Sequence, residues 1–153
     1  MAGDPRAVVL ENARRKALAS GARPGEVVLG VDTLVTLDGE IFGKPPDAAA
    51  AAATLRRLSG RTHTVVSGVA IARADADVEP AATTTAVTFR ALPGFLVDWY
   101  VATGEWRDRA GGYAIQGRGA ALVKRIEGDY LNVVGLPVAM LVELWPWLIR
   151  VGS

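Results

Sequence analysis

The stretch Glu26-Val27-Val28-Leu29-Gly30-Val31-Asp32-Thr33-Leu34-Val35-Thr36-Leu37-Asp38-Gly39-Glu40-Ile41-Phe42 decides the fold class. Glu26 to Val31 is short, apolar and β-branched, which predicts a buried strand. Leu34 to Leu37 and Glu40 to Phe42 flank Asp38-Gly39, a pair that supplies the positive φ angles of a tight two-residue hairpin. Upstream, Asp4-Pro5 reads as a cap and first turn of a helix. That helix carries Val9, Ala13 and Ala17 on one face and stops at Gly21. Downstream, Asp47 caps a second helix of six alanines followed by Leu55 and Leu58, ending at Ser59-Gly60. Alanine is the best helix former, so an ordinary helix is expected there.

Thr62 to Ala72 and Thr83 to Arg90 are strand-like, with a turn over Asp75–Pro80 between them. Pro93 opens a third helix with Leu96, Val97 and Tyr100, ending near Gly104. A glycine-rich loop follows from Arg109 to Gly119, then a strand over Ala120–Ile126 and a turn at Glu127-Gly128-Asp129. Pro137 opens a last helix, which Pro146 should kink or end. Trp145, Trp147, Leu148 and Ile149 suit either the core or a subunit contact. Helices and strands mix throughout the 153 residues, so the class is α/β or α+β in one domain, 1–153.

Composition narrows the chemistry. Seventeen basic and sixteen acidic residues leave a net charge of +1, without the clustered basic excess of a nucleic-acid binder. No cysteine is present, so thiolate nucleophiles and Cys-type zinc sites are excluded. The single histidine, His63, excludes a multi-His metal site and makes a Ser-His-Asp triad at Ser67-Gly68 improbable. His63 reads as a structural or rim residue. Any metal must use oxygen ligands, which favours magnesium or manganese. The apolar segment 133–149 is interrupted by Gly135, Pro137, Glu143 and Pro146, and no signal-peptide core stands at the N-terminus. A soluble, cytoplasmic protein without membrane contact is expected.

Four stretches carry possible chemistry. Asp32 at the end of an apolar strand can activate water or hold a cation, although a turn-capping aspartate looks the same. Lys44, in Gly43-Lys44-Pro45-Pro46, is a compact charge on a stiff loop, suited to phosphate; alone it reads as a solvated lysine. This is not a P-loop, since the glycine spacing and the following Ser/Thr are missing. In Asp108-Arg109-Ala110-Gly111-Gly112-Tyr113-Ala114-Ile115-Gln116-Gly117, the glycines admit a ligand close to the backbone. There Arg109 can pair with phosphate and Gln116 can read a base edge. In Glu11-Asn12-Ala13-Arg14-Arg15-Lys16-Ala17, helical spacing puts Asn12 and Lys16 on one side, and Lys16 can lean into a cleft.

Singly these signals are weak, but their order resembles the Maf family of nucleoside triphosphate pyrophosphatases. The resemblance covers Ala13–Ala17, Gly30–Val35, Gly39–Pro45, Leu58–His63, Ser67–Ala70, Val87–Arg90, Ala110–Gly117, Ile126–Tyr130 and Asn132–Pro137. It implies an inosine-triphosphatase-like α/β domain: a mixed, twisted sheet flanked by helices around a central nucleotide cleft. It implies hydrolysis of dTTP or UTP, and of modified pyrimidine nucleotides, to the monophosphate and pyrophosphate, with a divalent cation and as a homodimer. Asp32 matches the family's general base and metal position, and Lys16 and Lys44 match its phosphate-facing lysines. Thr33 and Gln116 match positions associated with pyrimidine selection. The family's opening strand and Ser-x-Ser-Pro-Arg-Arg loop have no counterpart in these residues. The chain thus reads as N-terminally shortened and predicts weak activity. Two other readings compete. One is an inactive nucleotide-binding or regulatory protein of the same fold, linked to arrest of cell division. The other is a pyrophosphatase for damaged purine nucleotides, which Thr33 and Gln116 disfavour.

Overall fold

A computed structural model describes residues 3–19, 21–74 and 79–150. Helix α1 (Pro5–Leu18) begins where Asp4 accepts the Arg6 amide, as the Asp-Pro pair predicts. Strand β1 (Val28–Leu37) turns at Asp38-Gly39, with φ angles of 52° and 78°, into β2 (Glu40–Phe42). Helix α2 (Ala48–Leu58) is capped by Asp47, whose side chain accepts the Ala50 amide at 2.7 Å. Strands β3 (Thr62–Ala72) and β4 (Ala81–Phe89) and helix α3 (Gly94–Ala102) follow. The turn expected over Asp75–Pro80 lies mostly outside the described residues.

The glycine-rich loop contains 3₁₀ turns at Ala110–Gly112 and Arg118–Leu122. Strand β5 (Val123–Glu127), α4 (Tyr130–Val134), α5 (Val138–Leu144) and a 3₁₀ turn at Pro146–Arg150 complete the described residues. Pro146 thus stands just beyond the end of the last α-helix, and the Arg73 guanidinium lies 4.9 Å over the Trp147 ring. No helix among the described residues is long and apolar enough to cross a membrane.

The strands form one sheet in the order β2-β1-β3-β4-β5. The single α/β domain is as expected, but every pairing is antiparallel rather than mixed. One strand reading also changes. β1 is continuous from Val28 to Leu37, so Asp32 sits in mid-strand and not at a strand end. The nine-residue register with β3, from Val28↔Ala72 to Thr36↔Thr64, carries the strand straight through the polar Asp32-Thr33 pair.

The two faces of the sheet are built differently. On the odd-numbered side of β1, Val35 and Leu37 enter a large core with Leu55, Phe89, Tyr100, Tyr113 and Leu122. Even-numbered residues face α1, where Val9 meets Leu34 and Val66, and Ala13 and Ala17 meet Ala70 and Ala72. Here the fit depends on missing side chains. A Cβ on Gly30 would stand 2.1 Å from the Ala13 carbonyl oxygen, and one on Gly68 would stand 2.4 Å from that of Val9. The helix backbone therefore rests directly on the sheet.

The outer edge of β1 is only partly covered. β2 pairs with Val35 to Leu37 alone. The two-residue turn makes Leu37↔Glu40 a hydrogen-bonded pair, and the antiparallel alternation then aims the main-chain groups of Val35, Thr33, Val31 and Leu29 outward. Beyond Val35, no strand among the described residues meets that edge.

Candidate active site

The close seating of α1 on Gly30 and Gly68 brings its polar side chains within reach of β1. Lys16 Nζ donates to Asp32 Oδ1 at 2.9 Å and to the Val31 carbonyl at 3.1 Å. Asn12 Nδ2 donates to Asp32 Oδ2 at 2.9 Å. Both carboxylate oxygens are thus held by residues one helical turn apart, the spacing that put Asn12 and Lys16 on one side. The Asp32 side chain is 14% exposed and that of Lys16 54%, so the pair opens to solvent on the lysine side.

The next residue points the other way. Thr33 Oγ1 lies 2.8 Å from the hydroxyl of Ser67, its partner across β3. Ser67 is fully buried and acts as a structural partner, not as a nucleophile. Asp32 and Thr33 nevertheless line the same cleft, because the cleft wraps around the open edge of β1. Its volume is about 230 Å³.

Two loops build the rim. The Gly111 amide donates to the Gly43 carbonyl at 3.1 Å, and a Cβ on Gly112 would stand 3.2 Å from Pro45 Cγ. The glycine-rich loop therefore packs against the Gly-Lys-Pro-Pro loop, which places Arg109 beside the cleft along with Lys44. Gly111 has a φ of 71°, and a Cβ there would stand 2.7 Å from Val35 Cγ2, so this loop also needs glycine to sit on β1. Gln116 lines the cleft from an exposed loop position, and Val133 to Gly135 at the end of α4 close the remaining side. All six residues singled out from the sequence, Lys16, Asp32, Thr33, Lys44, Arg109 and Gln116, thus line one cleft.

Charge in the cleft comes from Lys16, Lys44 and Arg109 against Asp32 and Asp108. Lys16 is paired with Asp32; Lys44 and Arg109 have no ion-pair partner among the described residues. The arrangement can accept a polyanion at the rim beside a carboxylate in the interior. No group of three His, Cys, Asp or Glu able to hold a metal occurs among the described residues. The carboxylates that line the cleft are Asp32 and Asp108, and magnesium binds through one or two carboxylates plus substrate phosphates.

His63 is structural, as expected. It is 1% exposed and its Nε2 lies 2.7 Å from the Tyr113 hydroxyl, with Phe89 edge-on at 4.9 Å. Burial lowers its pKa from 6.5 to about 4, and raises that of Tyr113. The pair braces the glycine-rich loop behind the cleft.

Other contributors carry no sequence signal of their own. Thr85 and the buried Asn132 hold α4 to the sheet, with Asn132 Nδ2 donating to Thr85 Oγ1 at 2.9 Å. Glu105 holds the far end of the glycine-rich loop by accepting the Arg118 and Gly119 amides, each at 3.1 Å. Only the resemblance of Asn132–Pro137 to a family segment pointed toward the first of these.

Comparison with known proteins gives the chain its family. The family model described as "Maf-like protein" matches residues 2–146. The chain is 47% identical to the dTTP/UTP pyrophosphatase of Pyrococcus furiosus over 142 residues, 92% of this chain and 74% of that protein. It is 50% identical to the dTTP/UTP pyrophosphatase of Symbiobacterium thermophilum over 144 residues, 94% and 74% of the two chains. It is 52% identical to that of Moorella thermoacetica over 140 residues, 91% and 72%. An open cleft along one strand edge, ringed by Asp32, Lys16, Lys44, Arg109 and Gln116, is thus set in a chain that belongs to the Maf family.

Proposed function

We propose that this chain is a nucleoside triphosphate pyrophosphatase that hydrolyses dTTP and UTP to the monophosphate and pyrophosphate. The observation that carries the reading is the convergence of Asp32, Thr33, Lys16, Lys44, Arg109 and Gln116 on one cleft. The names of its relatives support the same substrates.

Water attacks the α-phosphorus, the bond from that phosphorus to the bridging oxygen breaks, and pyrophosphate leaves. Asp32 takes the proton from the attacking water, and Asn12 and Lys16 fix the orientation of its carboxylate. Lys44 and Arg109 bind the β- and γ-phosphates at the rim, where negative charge builds on the leaving group. Lys16 serves the α-phosphate from the open side of its ion pair. A divalent cation brought with the triphosphate would be held by Asp32 and would neutralise charge on the phosphate oxygens. Thr33 and Gln116 read the pyrimidine. We place the enzyme in the cytoplasm as a homodimer, acting on free nucleotides rather than nucleic acid or membrane.

The test is a panel of nucleoside triphosphates incubated with the protein and magnesium, scored for pyrophosphate. UTP and dTTP should yield pyrophosphate and the monophosphate in preference to purine nucleotides. Release of orthophosphate instead, or preference for purine triphosphates, would overturn the reading. Tight binding of UTP without turnover would favour a nucleotide-binding role.

A further inference from the structure

Gln116 opens the exposed segment Gln116–Arg118, which lies between buried Ile115 and buried Gly119, and one carboxylate lies behind that segment. Glu105 Oε1 accepts the Gly119 amide at 3.1 Å and the Tyr100 hydroxyl at 3.0 Å, while Oε2 accepts the Arg118 amide at 3.1 Å. The same Tyr100 oxygen accepts the Ala114 amide at 2.8 Å. The amides at 114, 118 and 119 bracket Gln116, so both feet of the loop converge on one Glu-Tyr pair. Gly117 completes the arrangement. A Cβ there would stand 2.6 Å from Glu105 Oε1, so the carboxylate packs directly under the residue that follows Gln116.

We propose that Glu105, acting with Tyr100, is a positioning residue that holds Gln116 at the height where it meets the base, and so sets the base selectivity of the cleft. The inference rests on the pyrophosphatase reading above. Tyr100 is fully buried, so its hydroxyl is a fixed point on α3. The carboxylate extends that fixed point to the loop by hydrogen bonds to an ionised acceptor, which are stronger than neutral ones. Burial pushes the Glu105 carboxyl up, yet the Arg118 and Gly119 amides and the Tyr100 hydroxyl bring it below its ordinary value. Without the carboxylate, the two amides lose their acceptor and the 3₁₀ turn at Arg118–Leu122 loses its anchor. A side chain that reads a base edge discriminates only while it is held in register, because the wrong base is rejected by leaving polar groups unpaired.

The experiment compares kcat/KM for UTP and GTP in the parent and in Glu105→Gln, Tyr100→Phe, Gln116→Leu and the Glu105→Gln/Gln116→Leu double variant. Glu105→Gln should lower the UTP:GTP ratio by about tenfold, mostly through a higher KM for UTP. Tyr100→Phe should lower it too, since it frees the Ala114 amide and removes the hydroxyl that holds Glu105 Oε1. The double variant should be no less selective than Gln116→Leu alone, because Glu105 acts through Gln116. An unchanged ratio in folded Glu105→Gln and Tyr100→Phe, or a further loss of selectivity in the double variant, overturns the inference. If Glu105→Gln does not fold, Tyr100→Phe alone decides by the same ratio. A parent that releases no pyrophosphate from UTP overturns the pyrophosphatase reading and this inference together. A selective parent with unaltered variants overturns only the inference.

Discussion

Asp32 and Thr33 are neighbours on one strand, yet opposite means hold them in place. On the α1 side, Asp32 owes its partners to absent side chains: Gly30 and Gly68 let the helix backbone settle onto the sheet, and Asn12 and Lys16 then reach the carboxylate. On the other side, Thr33 is held by the buried Ser67 hydroxyl, and the glycine-rich loop leans on bulk, a core of Phe89, Tyr100, Tyr113 and His63. The charged half of the cleft is therefore sensitive to added volume. The half lined by Thr33 and Gln116 is sensitive to lost volume and lost hydrogen bonds.

Gly30→Ala should strain the first arrangement most. Its Cβ meets main-chain atoms of α1 rather than a movable side chain. The helix must shift, costing about 3 kcal/mol or more, and turnover should fall with it as Asn12 and Lys16 leave Asp32. Urea unfolding together with pyrophosphate release measures both. Parent-like stability would mean that the helix seat is softer than its contacts imply.

Asp32→Asn separates charge from packing on the same side. It keeps the shape while removing the proton acceptor, so turnover should drop by roughly 10²-fold or more with little change in Tm. Near-parental pyrophosphate release would remove Asp32 from the chemistry.

The opposite side should reveal itself through pH. Folded His63 stays neutral until about pH 4, whereas in the unfolded chain it takes up a proton near 6.5. The unfolded state then binds more protons between those values, so stability declines as pH falls through that window and the decline ends below it. At pH 5 the loss is about 2 kcal/mol relative to neutral pH. His63→Gln should flatten this part of the profile in urea titrations at several pH values. An unchanged slope would assign the acid sensitivity to other groups.

Lys44→Ala is the mildest probe. An exposed lysine contributes little to stability, so Tm should stay put, while the Kd for a non-hydrolysable UTP analogue should rise about tenfold as one charge-assisted contact is lost. Equal affinity would make Lys44 a solvated rim residue.

Much of this was readable because the signals are local. Asp4-Pro5, Asp47 and Asp38-Gly39 act through their own backbone, and Val9, Ala13 and Ala17 report a buried helix face by spacing alone. The misread places depend on distant partners. Asp32-Thr33 looked like the end of a strand because two polar residues interrupt an apolar run. Asn12, Lys16 and Ser67 satisfy them, and the strand continues. The strand expected from Ala120 starts only at Val123, since Glu105 binds the Arg118 and Gly119 amides and the chain coils into a 3₁₀ turn. Helix α4 escaped notice at five residues, too short for periodicity to register. Asp32, Lys44, Arg109, Gln116 and Lys16 stand out in their own stretches and the motif order carries the family resemblance, while the convergence of the six cleft residues is a property of the fold.

Lys16 has a second duty at the margin of the sheet. By donating to the Val31 carbonyl it occupies one outward-facing main-chain acceptor on the β1 edge that no strand among the described residues covers beyond Val35. Edge strands with free main-chain groups template intermolecular pairing, and lysine is among the residues that blunt them. Replacing Lys16 by Met should therefore raise light scattering at high protein concentration as well as lower turnover. On the function proposed above, the same ammonium group ties the colloidal behaviour of the protein to its phosphate chemistry.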